Sequence, residues 1–433
     1  MTPVRGPSEH GRADSWAFCL LAAIVGGLQF QFVISMGPTE LKICPADLAA
    51  LSGAVLVVAL SLRDRCLPWA TDFKGALLVL PTYALTLGLS VAYARYGHVS
   101  NWALIGKYAG WFVLLAYLVA GAGLIMRGDG VTLAMCLRAF CWLTVIVNAV
   151  FYIPRVSYVL YIPIPGVLNL IALWKLRVYG DQQASPVGND NGSAVMLICV
   201  LAIVLADRVK PGSVFRAATA FVLAAVVCVN VIMTGSRAGM AAAALLLMIA
   251  FVMATSARRF ILALAAVTGL FVGATQLANF THVNEAGVSE DRALPHRNRA
   301  DAGVYDVSVM GRLDTAKAAV MMALEHPILG GGLGAFLAGQ DQNALIIHNT
   351  LLWILAEMGI AGVAAFLLFF AGLIRYLVKA NRSSNAQGVA ANAALLTLVS
   401  VGAMAMAHEL LYQRAPWFLL GLALAGRRRL QTT

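Results

Sequence analysis

Apolar blocks of about 20 residues, separated by short polar connections, repeat along almost the whole chain. A helix of this length crosses the ~30 Å hydrocarbon layer of a bilayer. Because lipid offers no partners for backbone groups, each block is predicted to be an α-helix. We therefore expect an all-α, polytopic membrane protein with about twelve transmembrane helices in a single domain, residues 1–433. The predicted spans are 16–36, 46–62, 75–94, 102–126, 132–153, 192–207, 214–233, 238–256, 260–278, 347–374, 389–408 and 414–426.

The composition supports a membrane environment. Hydrophobic residues make up 61% of the chain and charged residues only 12%, whereas soluble domains carry about 25% charged residues. The first apolar block is too long for the hydrophobic region of a signal peptide and lacks a small-residue cleavage site, so it is interpreted as the first span.

Basic residues predict the orientation. With the amino terminus in the cytoplasm, most arginines and lysines of the short connections face the cytoplasm, as the positive-inside rule requires. These residues are Arg63, Arg65, Arg127, Arg208, Lys210, Arg258, Arg259, Arg375, Lys379, Arg382 and Arg427 to Arg429; the other face carries Lys42, Arg95, Arg237 and Arg414. The net charge of +11 is thereby explained, and no nucleic-acid partner is expected because the charges form no continuous face.

Two long connections are predicted on the outer face, 154–191 and 279–346. Within the first, the apolar segment 156–174 is expected to be re-entrant or to lie on the surface, because a further crossing would reverse the sidedness of all later charges. The second contains a helical pattern from Met310 to His326, ended by Pro327 and followed by a glycine-rich run at 330–334. That run lacks the Lys-Ser/Thr of an ATP-binding loop.

Three polar residues on the outer side are candidates for chemistry. Arg237, in a tight connection between two spans, either snorkels to lipid headgroups or clamps a phosphate. Arg312 near the start of the loop helix is either solvated or paired with Asp314, or it binds an anion. His348 at the junction of loop and span is either a structural residue or a general base.

Other polar residues have weaker signals. Arg155 and Arg177 flank the first outer loop and either have no functional role or add charge to a diphosphate site. Asn189 and Asn191 either cap a helix or hold sugar or phosphate, and Asn349 beside His348 is a further candidate for substrate binding. Charges within the spans indicate function or a buried pair. Glu357 is expected to make a structural hydrogen bond, and Lys107 either forms such a pair or snorkels outward.

Neither a metal nor another cofactor is expected. The seven cysteines form no Cys-x-x-Cys or Cys/His cluster, so they are interpreted as small buried residues without disulfides. The first outer connection carries only Glu40 and Asp47 as acidic residues, which form no DxD-like pair that would hold a metal ion.

The order of these motifs resembles the bacterial O-antigen ligase and polymerase superfamily. The resemblance covers about 177–365 and rests on motifs in a fixed order. They are Gly188-Asn189-Asp190-Asn191, Ser236-Arg237, Gly311-Arg312, Pro327 with the run from Gly330 to Phe336, His348-Asn349, and Glu357 with Gly359 to Gly362. Gly-Asn-Asp-Asn departs from the family pattern, in which an aromatic residue or a proline often stands near the asparagines.

The resemblance implies a fold similar to the membrane-embedded (GT-C) glycosyltransferases, in the inner membrane of a Gram-negative bacterium. The implied activity is transfer of O-polysaccharide from undecaprenyl diphosphate to the lipid A-core oligosaccharide at the periplasmic face. Arg237 and Arg312 would grip the diphosphate and His348 would be the base, in an inverting reaction without a metal.

Three alternatives remain open at the sequence level. An O-antigen polymerase and a protein O-oligosaccharyltransferase belong to the same superfamily. A lipid or glycan transporter is a different class, but transporters usually show paired repeats and a polar site near the middle of the membrane. Here the polar candidates gather on one face.

Overall fold

The computed structural model describes residues 8–36, 39–97, 103–128, 130–159, 190–209, 214–253, 258–266, 268–269, 301–338, 347–383 and 385–425. Its elements are α1 (Ser8–Gly27), β1 (Phe32–Met36), β2 (Thr39–Ile43), α2 (Pro45–Asp64), α3 (Val79–Tyr96), α4 (Gly110–Arg127), α5 (Gly130–Val159), α6 (Asp190–Val209), α7 (Ala217–Met233), α8 (Arg237–Met253), α9 (Asp301–Glu325), α10 (Ala335–Ala338), α11 (Thr350–Ala380), α12 (Ala386–Ala405) and α13 (Arg414–Leu424). A short 3₁₀ turn, Gly75–Leu78, precedes α3, and a π-helical turn, Ala103–Ala109, precedes α4.

The predicted all-α membrane fold is confirmed. Seven helices within the described residues are long and apolar enough to cross a membrane, and four further apolar helices are shorter. Each predicted span coincides with helix, although 260–278 is described only at 258–266 and 268–269. The chain is therefore a multi-pass helical membrane protein.

The first predicted span, 16–36, is wrong at its end. The helix stops at Gly27, and the chain forms an antiparallel hairpin in which Phe32 pairs with Ile43 and Met36 with Thr39. A Cβ atom on Gly27 would lie 2.5 Å from the backbone nitrogen of Ala46. The glycine therefore lets α1 end directly against the start of α2, and the apolar residues that follow form a strand.

Small residues let the helices approach closely, which is how membrane helices commonly pack. Where α4 meets α13, a Cβ on Gly421 would lie 2.6 Å from the carbonyl oxygen of Leu118, and a Cβ on Gly121 would lie 3.1 Å from that of Phe418. The backbones of the two helices are therefore nearly in contact.

A buried ion pair joins three helices of the bundle. Arg414 at the start of α13 donates from Nε and Nη2 to the two carboxylate oxygens of Asp47, at 2.6 and 2.8 Å. The Tyr117 hydroxyl of α4 donates to the same carboxylate at 2.8 Å. The bidentate geometry and the added hydroxyl compensate for removing the charges from water.

The two ends of the bundle differ in their charged groups. Arg127 pairs with Asp64, and Lys379 pairs with Asp72, at the end opposite to His348. We call the end that carries His348 the site end. The grouping of basic residues at the opposite end follows the charge pattern of the sequence.

Helix α11 is bent at Gly359, whose φ of 63° lies in the left-handed region. The part after the bend, residues 360–380, is about 31 Å long at 1.5 Å per residue. This part alone can cross the hydrocarbon layer, and it ends six residues beyond the predicted span 347–374. Residues 350–358, before the bend, form a separate helical segment at the site end.

The predicted helix of the second outer connection is confirmed and is longer than expected, Asp301–Glu325. Its small residues Thr315, Ala319 and Ala323 are buried, whereas Leu324 is 69% exposed and Val320 is 44% exposed. The large apolar side chains therefore face away from the protein, as lipid-facing side chains do, and the small ones pack inward.

The first outer connection is described only at its edges. Helix α5 continues to Val159, past the predicted loop start at 154, and α6 begins at Asp190. The remainder of the segment 156–174, expected to be re-entrant or superficial, lies outside the described residues.

Candidate functional site

His348 lies just before the first turn of α11 and is half-buried. The next residue, Asn349, is the N-cap: its side-chain oxygen accepts from the Leu352 amide at 2.9 Å. Its side-chain nitrogen donates to the carbonyl oxygen of Met406 at 3.0 Å. Both polar groups of Asn349 are therefore used within the protein, and the cap fixes the backbone that carries His348.

A second histidine, His408, lies beside His348. The two ring centroids are 6.1 Å apart and the ring planes are inclined by 86°, an edge-to-face contact. His408 belongs to the irregular segment 406–413 between α12 and α13. Sequence reasoning missed this residue, although its position at the outer end of the predicted span 389–408 was a usable signal.

The segment around His408 is tied to the start of α11. The Thr350 hydroxyl donates to the carbonyl oxygen of His408 at 3.0 Å, and it accepts from the Leu410 amide at 3.2 Å. These bonds satisfy backbone groups that no helix satisfies, and they hold the two histidines in a fixed relation.

Asn191 of α6 links His408 to the turn that carries Arg237. The Ser236 hydroxyl donates to Asn191 Oδ1 at 2.7 Å, and Asn191 Nδ2 lies 3.4 Å from His408 Nδ1. Ser236 Oγ also accepts from the Gly239 amide at 3.0 Å. The motifs around residues 191, 236 and 348, separate in sequence, therefore meet at the site end.

Arg237 is the first residue of α8 and is exposed. The turn before it contains Gly235 at φ 69°, and the Thr234 hydroxyl accepts from the Ser236 amide at 3.1 Å. A Cβ on Gly239 would lie 2.6 Å from the Cβ of Ala194, so this glycine brings α8 close to α6. The guanidinium is thus carried on a rigid turn at the site end.

Arg312 of α9 is exposed and acts electrostatically on both histidines. Burial and the positive charge of Arg312 lower the pKa of His348 below its ordinary value of 6.5. Burial, Arg312 and the neighbouring His348 lower the pKa of His408 to about 4. Both imidazoles are therefore neutral at pH 7, and a neutral imidazole has a nitrogen free to accept a proton.

The glycine-rich run is a structural connection between α9 and the bend of α11. The amides of Gly331 and Gly332 donate to the carbonyl oxygens of Ala356 and Glu357, at 2.8 and 3.0 Å. Gly330 has φ 72°, and a Cβ there would lie 2.3 Å from the carbonyl carbon of Glu357. Only glycine allows this approach, and Arg95 supports the turn by donating to the Gly330 carbonyl oxygen at 2.9 Å.

Glu357 makes the structural hydrogen bonds expected from the sequence. Its Oε2 accepts from the Gly334 amide at 2.8 Å and from the indole nitrogen of Trp353 at 2.7 Å. The carboxylate therefore holds the glycine-rich run against the segment that begins at His348.

Lys107 forms a pair inside the protein and does not snorkel outward. The residue is only 2% exposed, pairs with Glu409, and has its ammonium 4.1 Å from the ring centroid of Trp353. The partly buried carboxylate of Glu409 and an aromatic face replace the water that a snorkelling lysine would seek. Glu409 follows His408 directly, so this pair also anchors the segment 406–413.

An apolar cavity of about 230 Å³ lies between α11, α12 and α13. Its wall includes Thr350 and Met406, both of which contact the residues around the two histidines. The rest of the wall is mostly apolar and includes Phe366, Val401 and Trp417. The cavity suits a hydrocarbon chain and begins beside the histidines.

Three of the residues expected at the site lie wholly or partly outside the described structure. Arg155 lies in α5, but only its backbone is described. Arg177 and Asn189 are not among the described residues. Within the described residues, no group of three or more His, Cys, Asp or Glu side chains is arranged to hold a metal ion.

The fold and site define a multi-pass helical membrane protein with two adjacent histidines at the end of the bundle that also carries Arg237 and Arg312. Residues 219–367 match the family model described as O-antigen ligase. The matched part is about a third of the chain, and it overlaps the region whose motifs resemble the O-antigen ligase and polymerase superfamily. No curated protein matches the chain at a significant level.

Proposed function

We propose that the protein is an O-antigen ligase of a Gram-negative inner membrane. It transfers O-polysaccharide from undecaprenyl diphosphate to a hydroxyl of the lipid A-core oligosaccharide at the periplasmic face. The observation that carries the proposal is the half-buried His348, in edge-to-face contact with His408 at the site end, inside the region that matches the O-antigen ligase family model.

The proposed reaction needs a proton acceptor and a stabilised leaving group. The acceptor hydroxyl oxygen attacks the anomeric carbon while His348 takes the hydroxyl proton. The bond between the anomeric carbon and the phosphate oxygen breaks, and its electron pair leaves with the diphosphate. Attack opposite the leaving group inverts the anomeric centre.

Arg312 and Arg237 are proposed to bind the diphosphate. Guanidinium groups are always charged and bind phosphate oxygens in pairs. Preorganised positive charge at the departing oxygens lowers the barrier where negative charge develops. Arg155, Arg177 and Asn189 remain candidates for further substrate contacts. Asn191 and Asn349 have protein partners that support positioning roles.

The cavity between α11, α12 and α13 supports a lipid-linked donor. It has an apolar wall of the kind that takes a hydrocarbon chain, and it begins at residues that contact the histidine pair. The basic residues at the opposite end of the bundle favour a cytoplasmic location for that end. The site end then faces the periplasm.

Reconstitution tests the proposal. Purified protein in liposomes is mixed with a glycan on undecaprenyl diphosphate and with lipopolysaccharide that lacks O-antigen, and the products are separated by gel electrophoresis. A ligase gives lipopolysaccharide of increased mass. Longer lipid-linked glycan without modified lipopolysaccharide would mean a polymerase, and movement of unchanged donor across the bilayer would mean a transporter.

A further inference from the structure

The histidine beside the proposed base has no assigned role. His408 makes an edge-to-face contact with His348 and lies in a segment anchored by Thr350. Two adjacent imidazoles near a guanidinium form an unusual concentration of groups that can carry positive charge. Their protonation states therefore have to be controlled for either ring to act as a base.

The hydrogen-bond chain at Asn191 determines which nitrogen of His408 carries hydrogen. Ser236 Oγ accepts from the Gly239 amide and donates to Asn191 Oδ1 at 2.7 Å. The NH₂ group of Asn191 therefore faces His408 Nδ1, at 3.4 Å, and an NH₂ group can only donate. His408 Nδ1 accepts that bond, and the hydrogen of the neutral ring lies on Nε2.

We propose that His408 is a positioning residue, held by Asn191 and Ser236 in its neutral Nε2–H form, which orients His348 and keeps it free to accept the acceptor's proton. This inference rests on the proposed function. His408 does not take part in bond making or breaking.

The charged neighbours of His408 are consistent with this role. Arg312 approaches from α9 and His348 from the start of α11, and both lower the pKa of His408. The adjacent Glu409 is engaged by Lys107. An amide rather than a carboxylate at Asn191 completes the arrangement, because a carboxylate would draw a proton to Nδ1.

The first test reads the tautomer without any activity. In nitrogen-15 NMR of protein labelled at histidine, the signal that disappears in His408→Ala is assigned to His408. In the wild type at pH 7, this signal should be that of a neutral ring with hydrogen on Nε2. Asn191→Asp should convert the signal to a ring with hydrogen on Nδ1 or to the doubly protonated ring. A wild-type ring with hydrogen on Nδ1, or a doubly protonated one, would overturn the inference even if ligation is confirmed.

The second test uses kinetics, after wild-type protein has shown transfer. His408→Ala should lower kcat by about tenfold or more while KM for the donor stays within about twofold, since the diphosphate contacts are retained. Asn191→Asp should add an ionisation to the pH dependence of kcat that wild type lacks.

The double variant Asn191→Asp with His408→Ala separates the histidine from the introduced carboxylate. It should lack the added ionisation, because the imidazole that titrates is gone. The same new ionisation in the double variant, or an unchanged kcat in His408→Ala, would overturn the role. Matching elution and thermal unfolding of all variants exclude simple misfolding.

Discussion

Glu357 provides a quantitative test of how the site is held together. Its carboxylate accepts from the Gly334 amide and the Trp353 indole nitrogen. The substitution Glu357→Leu keeps a side chain of similar size but removes every acceptor. These two donors would then lie buried without a partner, at the point where the glycine-rich run meets α11.

A buried donor without a partner costs about 1–3 kcal/mol. Two such donors amount to roughly 2–6 kcal/mol, a large part of the 5–15 kcal/mol by which proteins of ordinary stability remain folded. Glu357→Gln retains one carbonyl oxygen as an acceptor but removes the charge, so each remaining bond should weaken by about 1 kcal/mol. The expected order of stability is wild type, then Gln, then Leu.

Thermal unfolding in detergent, followed by tryptophan fluorescence, measures this order. Glu325→Leu is the matched control because Glu325 is exposed at the end of α9, and it should unfold near the wild-type temperature. A Glu357→Leu variant that is as stable as Glu357→Gln would refute the reasoning, because the two donors would then have found other partners at no cost.

Four further predictions concern the chemistry. His348→Ala should lower ligation by about 10²–10⁴-fold while the protein still inserts; normal activity, measured in the reconstituted assay, would exclude His348 as the base. Arg237→Ala and Arg312→Ala should weaken donor use, and lysine should rescue poorly because it cannot bind phosphate oxygens in pairs; full rescue in a donor titration would contradict this. Because the pKa of His348 is lowered, the rate should hold from pH 7 to below pH 6.5 and fall only under more acidic conditions. Arg312→Gln removes a positive charge and should move that fall to higher pH; an unmoved profile would separate Arg312 from His348. A chelator should leave transfer intact, whereas loss restored by Mg²⁺ or Mn²⁺ would show a metal requirement.

The apolar blocks were sufficient to predict the helical spans. A segment that crosses the bilayer must be about 20 residues long, and it must satisfy its backbone hydrogen bonds within a helix. This prediction failed where packing decides the local structure. The end of α1 depends on the close approach of Gly27 to Ala46, and the bend at Gly359 depends on the glycine-rich run that packs against it. Neither contact is visible in a local pattern.

The sequence by itself determined that this protein lies in a lipid bilayer, that its fold is all-α, and where the superfamily motifs lie, because these properties depend on residue type and order. The tertiary structure alone decided which polar residues meet. Asn191, Ser236 and His408 are distant in the chain but joined by hydrogen bonds, and Lys107 is buried against Glu409 instead of reaching water. The physical reason is that the partner of a polar group in a low-dielectric bundle is chosen by three-dimensional proximity, which no sequence interval specifies.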